Sequence, residues 1–435
     1  MVGERRLLFH FDSLNPLVLA ALCTALLLYG GILKTKQRYA LRSLFDETEI
    51  LSVSGSIVSN PVRVNAGTFY RADVALEGVE TRGGARSSAR GIVCVLIPAE
   101  IAEAYMPGKL YTRSVRAVSG RGSGDVPVCE SGANISFCGH FSQRGVFISE
   151  TAEALPEKSG VLFCVMKARR ITRMHFRRLM FSWGAAGGLI LALLSGMREY
   201  TEADFSVAFK NAGLSHVLAL SGMHLSLFGS IGRAFGFRLF GKRGEALFQL
   251  VSVLLFVWFA GLSPSLFRAL LCSVLLLLCA ACSVQNVRLV YVLCAAFLIH
   301  VVLRPYEARE LSFMLSYGSL FGILLLGSVV SVPLSARLPP FLASGLSAGS
   351  GAFLFTAPVT AAHFHTLTPI GIVATVFVSP LIGVFFCSAL VLIVISLLFP
   401  CFSSSASFLL KIQYTLIKRV AQLFSMAPHF SFRNE

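Results

Sequence analysis

Between residues 184 and 399 the sequence is a succession of apolar runs, each separated from the next by only a few polar residues. A bilayer's hydrocarbon core is about 30 Å thick and asks for about 20 apolar residues per helical crossing. Runs at 184–196, 214–231, 246–262, 266–282, 289–303, 311–332, 341–361 and 370–399 read as helices of this kind, some short for a straight crossing. The last is long for one crossing, with a kink or break expected around Pro380. With 55% hydrophobic and 14% charged residues, the 435-residue chain is excluded from the ordinary soluble class. An earlier apolar run at 17–33 is too long for the core of a cleavable leader and reads as a retained anchor. A mildly basic segment at 403–426 reads as an amphipathic helix at the membrane surface.

The net charge is +16, from 38 Lys and Arg against 22 Asp and Glu. Such a balance suits anionic headgroups or nucleic acid. The positive-inside bias alone makes many membrane proteins basic, so charge does not decide between them. The basic residues also bear on orientation. Arg233, Arg238, Lys242 and Arg243 place the loop after the 214–231 run in the cytoplasm, with Arg5 and Arg6 adding some inside bias to the N-terminus. Lys34, Lys36, Arg38 and Arg42 would by the same rule draw the following segment inside.

That segment, 51–166, has a different texture. LSVSGSIV, TFYRADVAL, RGIVCVLIP, LYTRSVRAV and HFSQRGVFI alternate or run β-branched, with Gly, Pro and Ser between them and a helix-like PAEIAEAYM in the middle. Five short strands and one helix suit a small barrel of the OB type. Between Ser52 and Glu157 there are ten Lys and Arg against ten Asp and Glu, so the barrel is not strongly basic. Tyr70, Tyr105, Tyr111, Phe137 and Phe141 are aromatic candidates for stacking on bases, with core packing the plainer role. The fold class is therefore an α-helical polytopic membrane protein with an inserted small β-barrel (OB-like) soluble domain.

The apolar run around NAGLSHVLALSGMHLSL, residues 211–227, carries His216, Ser221 and His224. On one continuous helix these fall within an arc of roughly 140°. Ionisable groups in a membrane helix face a bundle interior or a wet cavity. Two more runs carry polar groups: FAGLSPSLFRALL, with Ser265 and Arg268, and RPYEARELSFMLSYGSLFGI, with Ser312, Ser316, Tyr317 and Ser319. Because lipid satisfies none of these groups, the three helices are expected to converge on one polar interior.

The same three blocks carry a resemblance. Gly196, Gly213, His216, Ala219, Ser221, Gly222, His224 and Leu227 fit a small-residue turn followed by a GxxHxxAxSGxHxxL helix. The FAGLSPSLFRALL block fits GxxPSxxRA, and the third fits a P…FxLSFxAxxGI pattern. In this order and at these distances, over roughly 170–398, the sequence resembles the ComEC competence proteins, inner-membrane channels for transforming DNA. The resemblance implies an OB-like domain outside the membrane, whose closing strand FSQRGVFI resembles, and motif residues that line or support a channel. Many members also carry a metallo-β-lactamase-like hydrolase domain after the membrane part. This chain ends at Glu435, so the expected reading is a channel without it. Two further departures are one helix before the barrel where two are usual, and Thr375 in place of an Asn before the late Pro-Leu pair.

The expected organisation is a transmembrane anchor at 1–45, an extracytoplasmic OB-like domain at 46–166, a basic amphipathic interfacial helix at 167–183, a channel domain at 184–400, and an amphipathic helix and tail at 401–435. Candidates for the DNA path are His216, Ser221, Gly222, His224, Ser265, Arg268, Ser316 and Tyr317. Arg169, Arg170, Arg173 and Arg177, on one face of the 167–183 helix, are candidates for attracting phosphate. Cys129 and Cys138 flank ESGANISF, a turn-forming stretch, and are a candidate disulfide if the barrel meets an oxidising compartment. Cys279 and Cys282 sit inside an apolar run without nearby ligands, and His363–His365 lacks the Asp and His that a zinc hydrolase motif would add. No metal or cofactor is expected. The expected partners are single-stranded DNA, membrane lipids, a separately encoded nuclease with the competence machinery, and a second copy of the chain as a homodimer. A multipass transporter of another anionic solute or lipid precursor is the alternative. An intramembrane hydrolase built on Ser221 and His224 is a third reading, lacking an evident orienting acid.

Overall fold

The computed structural model describes residues 15–33, 39–64, 68–103, 129–142, 145–156, 159–284, 286–428 and 430–431. Tyr105, Tyr111, the strand expected at LYTRSVRAV, and Arg5, Arg6, Lys34, Lys36 and Arg38 lie outside them. Helix α1 (Pro16–Tyr29) starts where Asn15 accepts the Leu17 amide at 3.0 Å and Pro16 takes the first turn, where a missing N–H costs nothing.

The strands that follow are β1 (Ala40–Arg42), β2 (Ile50–Ile57), β3 (Val62–Val64), β4 (Phe69–Thr81), β5 (Arg86–Ser88) and β6 (Arg90–Pro98). A one-turn helix α2 (Ala99–Ala102) comes next, then β7 (Asn134–Phe141) and β8 (Phe147–Ala154). β2 pairs with β4, β4 with β6, β6 with β8 in parallel, β8 with β7, and β7 with β2. Five strands thus close into a barrel in the order of an OB fold, with α2 following the third of them. Alternation drives this: Val53, Ile57, Val74, Val93, Val95, Ile97, Phe137 and Phe147 point inward and form one core. HFSQRGVFI, read as one strand, is two. The two strands pair antiparallel, and the Ser142 amide donates to the Val146 carbonyl at 2.8 Å. β7 itself lay hidden in a stretch read as a turn.

The helical part comprises α3 (Val161–Ser182), α4 (Gly184–Ser195), α5 (Ala203–Asn211), α6 (Ser215–Leu218), α7 (Gly222–Ala260), α8 (Pro264–Ala281) and α9 (Leu289–Leu303). It continues through α10 (Leu311–Gly322), a π-helical turn over Ile323–Gly327, α11 (Ser328–Ser335), α12 (Pro340–Phe364), α13 (Gly371–Leu398) and α14 (Ser403–Ser425). Among the described residues, four helices are long and apolar enough to cross a membrane: Pro264–Ala281, Leu311–Ser335, Pro340–Phe364 and Gly371–Leu398. Only 11% to 28% of each apolar window is buried within the protein, which leaves most of its surface for lipid. Pro380 neither breaks nor ends α13.

α7 is a hairpin, not a rod. At Gly241 φ is +62°, a left-handed value that favours glycine, and the chain reverses there. Limbs 222–240 and 242–260 then run back to back. A Cβ on Gly236 would sit 2.5 Å from the Gly244 carbonyl, so only glycine permits this approach. α1 packs through Val18, Ala21 and Leu28 against Leu293, Phe297, Phe313 and Tyr317, making it part of the bundle. α14 packs one face on the bundle, while Phe408, Ile412, Leu416 and Leu423 on the same helix stay exposed. Its Ala406, Leu410, Tyr414, Ile417 and Ala421 are buried in the main helical core, with Tyr414 donating to Glu202 at 2.9 Å.

Candidate functional site

The stretch from Ser215 to Leu227 is not the continuous helix that placed His216, Ser221 and His224 in one arc. It breaks after Leu218: Ala219 is extended, with ψ 139°, and Ser221 is extended as the N-cap of α7. The cause is local. The Ser221 amide donates to His224 Nδ1 at 3.3 Å, and the Ser221 hydroxyl lies 3.3 Å from the same nitrogen, forming a capping box. His224 is fully buried, beside Phe386 at 5.3 Å, and its Nε2 meets no hydrogen-bonding partner. His216 stands apart on α6, bonded to the Gly213 carbonyl at 3.1 Å and 3.5 Å from Thr375 Oγ1.

The remaining path candidates come together. Ser263 caps α8, and Pro264 takes its first turn. One residue on, Ser265 donates to the Leu220 carbonyl at 2.7 Å, tying the start of α8 to the start of α7. Arg268, one turn further, donates from Nη1 to the Ser316 carbonyl at 2.6 Å. Its other terminal nitrogen lies 3.4 Å from where a Gly222 Cβ would be, so glycine makes room for the guanidinium. Arg268 Nε has no hydrogen-bonding partner. Two capped helix N-termini, with their positive dipole ends, and one arginine therefore share a small space lined by Ser221, Gly222, Ser265 and the Ser316 backbone.

Tyr317 leads to residues the sequence reading missed. Its hydroxyl is 3.2 Å from Nδ1 of His300, whose Nε2 is 2.9 Å from Glu307. Glu307 accepts from Arg304 at 2.6 Å, and Arg304 stacks over Phe267 at 4.6 Å. His300 is fully buried and Glu307 nearly so. A histidine in an apolar run, followed by Arg and Glu at helical intervals of four and seven, was the available signal.

Three of the four α3 arginines, Arg169, Arg173 and Arg177, are turned onto the barrel and the end of α7. Arg169 donates to Ser131 and Asn60, each at 3.0 Å. Arg173, 1% exposed, reaches Glu130 at 3.4 Å and donates to the Phe259 carbonyl at 2.8 Å. Arg177 pairs with the other oxygen of Glu130 and lies over the Tyr200 ring at 5.8 Å. Arg170 is half-buried. Asn60 adds a 3.0 Å bond to the Ala260 carbonyl. These side chains clamp the barrel to the C-terminal end of α7. Burial raises the Glu130 carboxyl, but Arg177, Arg173 and Arg169 outweigh it and hold it below the usual carboxylate range.

The disulfide expected between Cys129 and Cys138 is absent. Cys129 is buried in the barrel core, whereas Cys138 sits on β7 between inward-facing Phe137 and Gly139, on the opposite face. Burial, with Glu130 adjacent, pushes the Cys129 thiol up to about 12. His363 bonds the Val359 carbonyl at 3.1 Å, and His365 ends α12 in a left-handed conformation.

A closed OB-type barrel clamped to apolar helices, with polar groups turned toward one another, defines an α-helical polytopic membrane protein. The family model described as "Competence protein" matches residues 193–434, more than half of the chain, and the chain belongs to that family. It is similar to ComE operon protein 3 of Bacillus subtilis (strain 168), at 29% identity over 187 residues. That match covers 42% of this chain and 23% of the relative, less than a quarter of the relative's length. No solved structure gives a match.

Proposed function

We propose that this chain forms a multi-pass channel in the bacterial inner membrane that carries single-stranded DNA during natural transformation. Membership of the competence family supports the system. The observation that carries the channel reading is Arg268, fixed on the Ser316 carbonyl beside the N-termini of α7 and α8. A guanidinium and two positive helix ends favour phosphate without base preference. The task is passage, and bond-breaking belongs to a separately encoded nuclease. Lipids, competence proteins and a second copy of the chain are the other proposed partners. Nothing in the Ser221–His224 pair favours hydrolysis, since His224 Nδ1 caps the helix and its far nitrogen has no carboxylate partner.

Deleting the gene is expected to abolish conversion of labelled DNA to a DNase-resistant form while surface binding persists. Normal uptake would return the chain to the alternative, transport of another anionic solute.

The hairpin favours an extracytoplasmic barrel. Gly222 and Ala260 lie at the barrel end, and Arg233, Arg238 and Lys242 lie toward the tip. The positive-inside rule then assigns the tip to the cytoplasm and the barrel to the outside. A cysteine at exposed Ser88 on β5 is expected to react with an impermeant maleimide in intact spheroplasts. Labelling only after lysis would reverse the assignment.

A further inference from the structure

The tip of the α7 hairpin has a composition that the channel reading does not use. Between residues 233 and 245 the sequence holds Arg233, Arg238, Lys242 and Arg243 against the single acid Glu245, which is paired with Arg233. Arg238 and Lys242 are exposed, and so are Phe235, Phe237, Leu239 and Phe240 around them. On the limbs behind the tip, Ile231, Leu247 and Val251 are also exposed, giving an apolar belt that leads up to a basic end.

The depth of this tip is set by the opposite end. Arg173 and Asn60 hold the Phe259 and Ala260 carbonyls to the barrel, whose polar surface stays in water. A limb of residues 222–240 spans about 28 Å at 1.5 Å per residue. That is close to the ~30 Å hydrocarbon thickness, so a hairpin rooted at one face brings its tip to the headgroups of the other. The phenylalanines then lie at the boundary, and the cations meet phosphate.

From charge, depth and the apolar belt together, we infer that the hairpin tip is a docking surface for acidic phospholipid, of the phosphatidylglycerol type, in the leaflet opposite the barrel. Single-stranded nucleic acid is the competing occupant, since basic residues with aromatics also suit stacking. The continuity of the exposed phenylalanines with the apolar belt favours lipid. This goes beyond the channel reading and does not depend on what the channel carries.

The test uses the full chain in nanodiscs of phosphatidylcholine with graded phosphatidylglycerol, with bound lipid counted by native mass spectrometry after release. A double variant, Arg238→Gln with Lys242→Gln, removes the two exposed cations. A control, Arg82→Gln with Arg90→Gln, removes two exposed cations from the barrel. Each surface cation is expected to contribute about fivefold, so the tip variant should lose preference for phosphatidylglycerol by roughly 25-fold while the control retains it. Unchanged preference in the tip variant, or equal loss in both, would overturn the proposal. So would a tip variant that keeps its lipid and loses affinity for a single-stranded oligonucleotide.

Discussion

Arg268→Ala is expected to lower DNA uptake by about ten- to a hundredfold, with insertion and barrel folding intact. The magnitude follows from losing a charge-assisted contact, worth about 1.5–3 kcal/mol, at each phosphate in passage. Assembly should survive because the Ser316 carbonyl keeps a second donor, the Ser319 hydroxyl at 3.1 Å. Arg268→Lys should restore only part of the rate. Lysine keeps the charge but cannot hold the Ser316 carbonyl and present a second N–H edge at once. Uptake of labelled DNA, normalised to membrane-inserted protein, is the measurement. Wild-type uptake by well-inserted Arg268→Ala would remove this side chain from the path.

The second large effect is expected at the junction. Glu130→Gln leaves Arg173 and Arg177 buried against a neutral amide. Breaking such a pair from one side costs about 3–5 kcal/mol. In a thermal melt this should appear as a fall of roughly 10 °C. The same pair predicts a pH dependence. Glu130 is held below its ordinary value near 4.5, so its contribution is present above that pH and lost as pH falls through the folded value. Glu199, which burial shifts upward, contributes with the opposite sign. A Glu199→Gln background therefore isolates the Glu130 contribution. An acid limb of the melting curve that Glu130→Gln leaves unchanged would refute the assignment.

Much of this architecture is visible in the sequence wherever one rule acts alone. The run at 289–303 coincides with α9, and α8, α12 and α13 differ from their expected bounds by a few residues at each end. Lipid imposes apolarity along the whole length, which leaves a plain signal. β2, β4 and β6 were legible for the comparable reason that one face of each is buried. β7 was not, because Asn134, Ser136 and Gly139 are turn-type residues that here sit in a strand closed by its neighbours. The break before Ser221 was legible only as the unwinding that Gly222 permits, because a histidine three residues on reads equally as a helix face and as a cap. The α3 arginines misled for a different reason. Their single face was visible, but their partner, Glu130, lies 43 and 47 residues earlier, between two barrel strands, and only the fold brings it near.

The pairing of the barrel also imposes an order of assembly during synthesis. Ser52 on β2 stands opposite Cys138 on β7, and Val95 on β6 opposite Phe147 on β8. The first seam cannot close until β7 (Asn134–Phe141) has been made, nor the second until β8 (Phe147–Ala154) has, so the earliest strands wait for the latest. Helices form far faster than such long-range closures. The turn that carries Glu130, between β6 and β7, reaches its place only with that closure. Until then Arg173 and Arg177 lack their Glu130 partner, and the junction with the end of α7 is incomplete. Barrel closure thus comes before the ion pairs that finish the junction. A substitution that slows closure should be felt far from the barrel, as membrane helices left undocked and open to quality-control proteases.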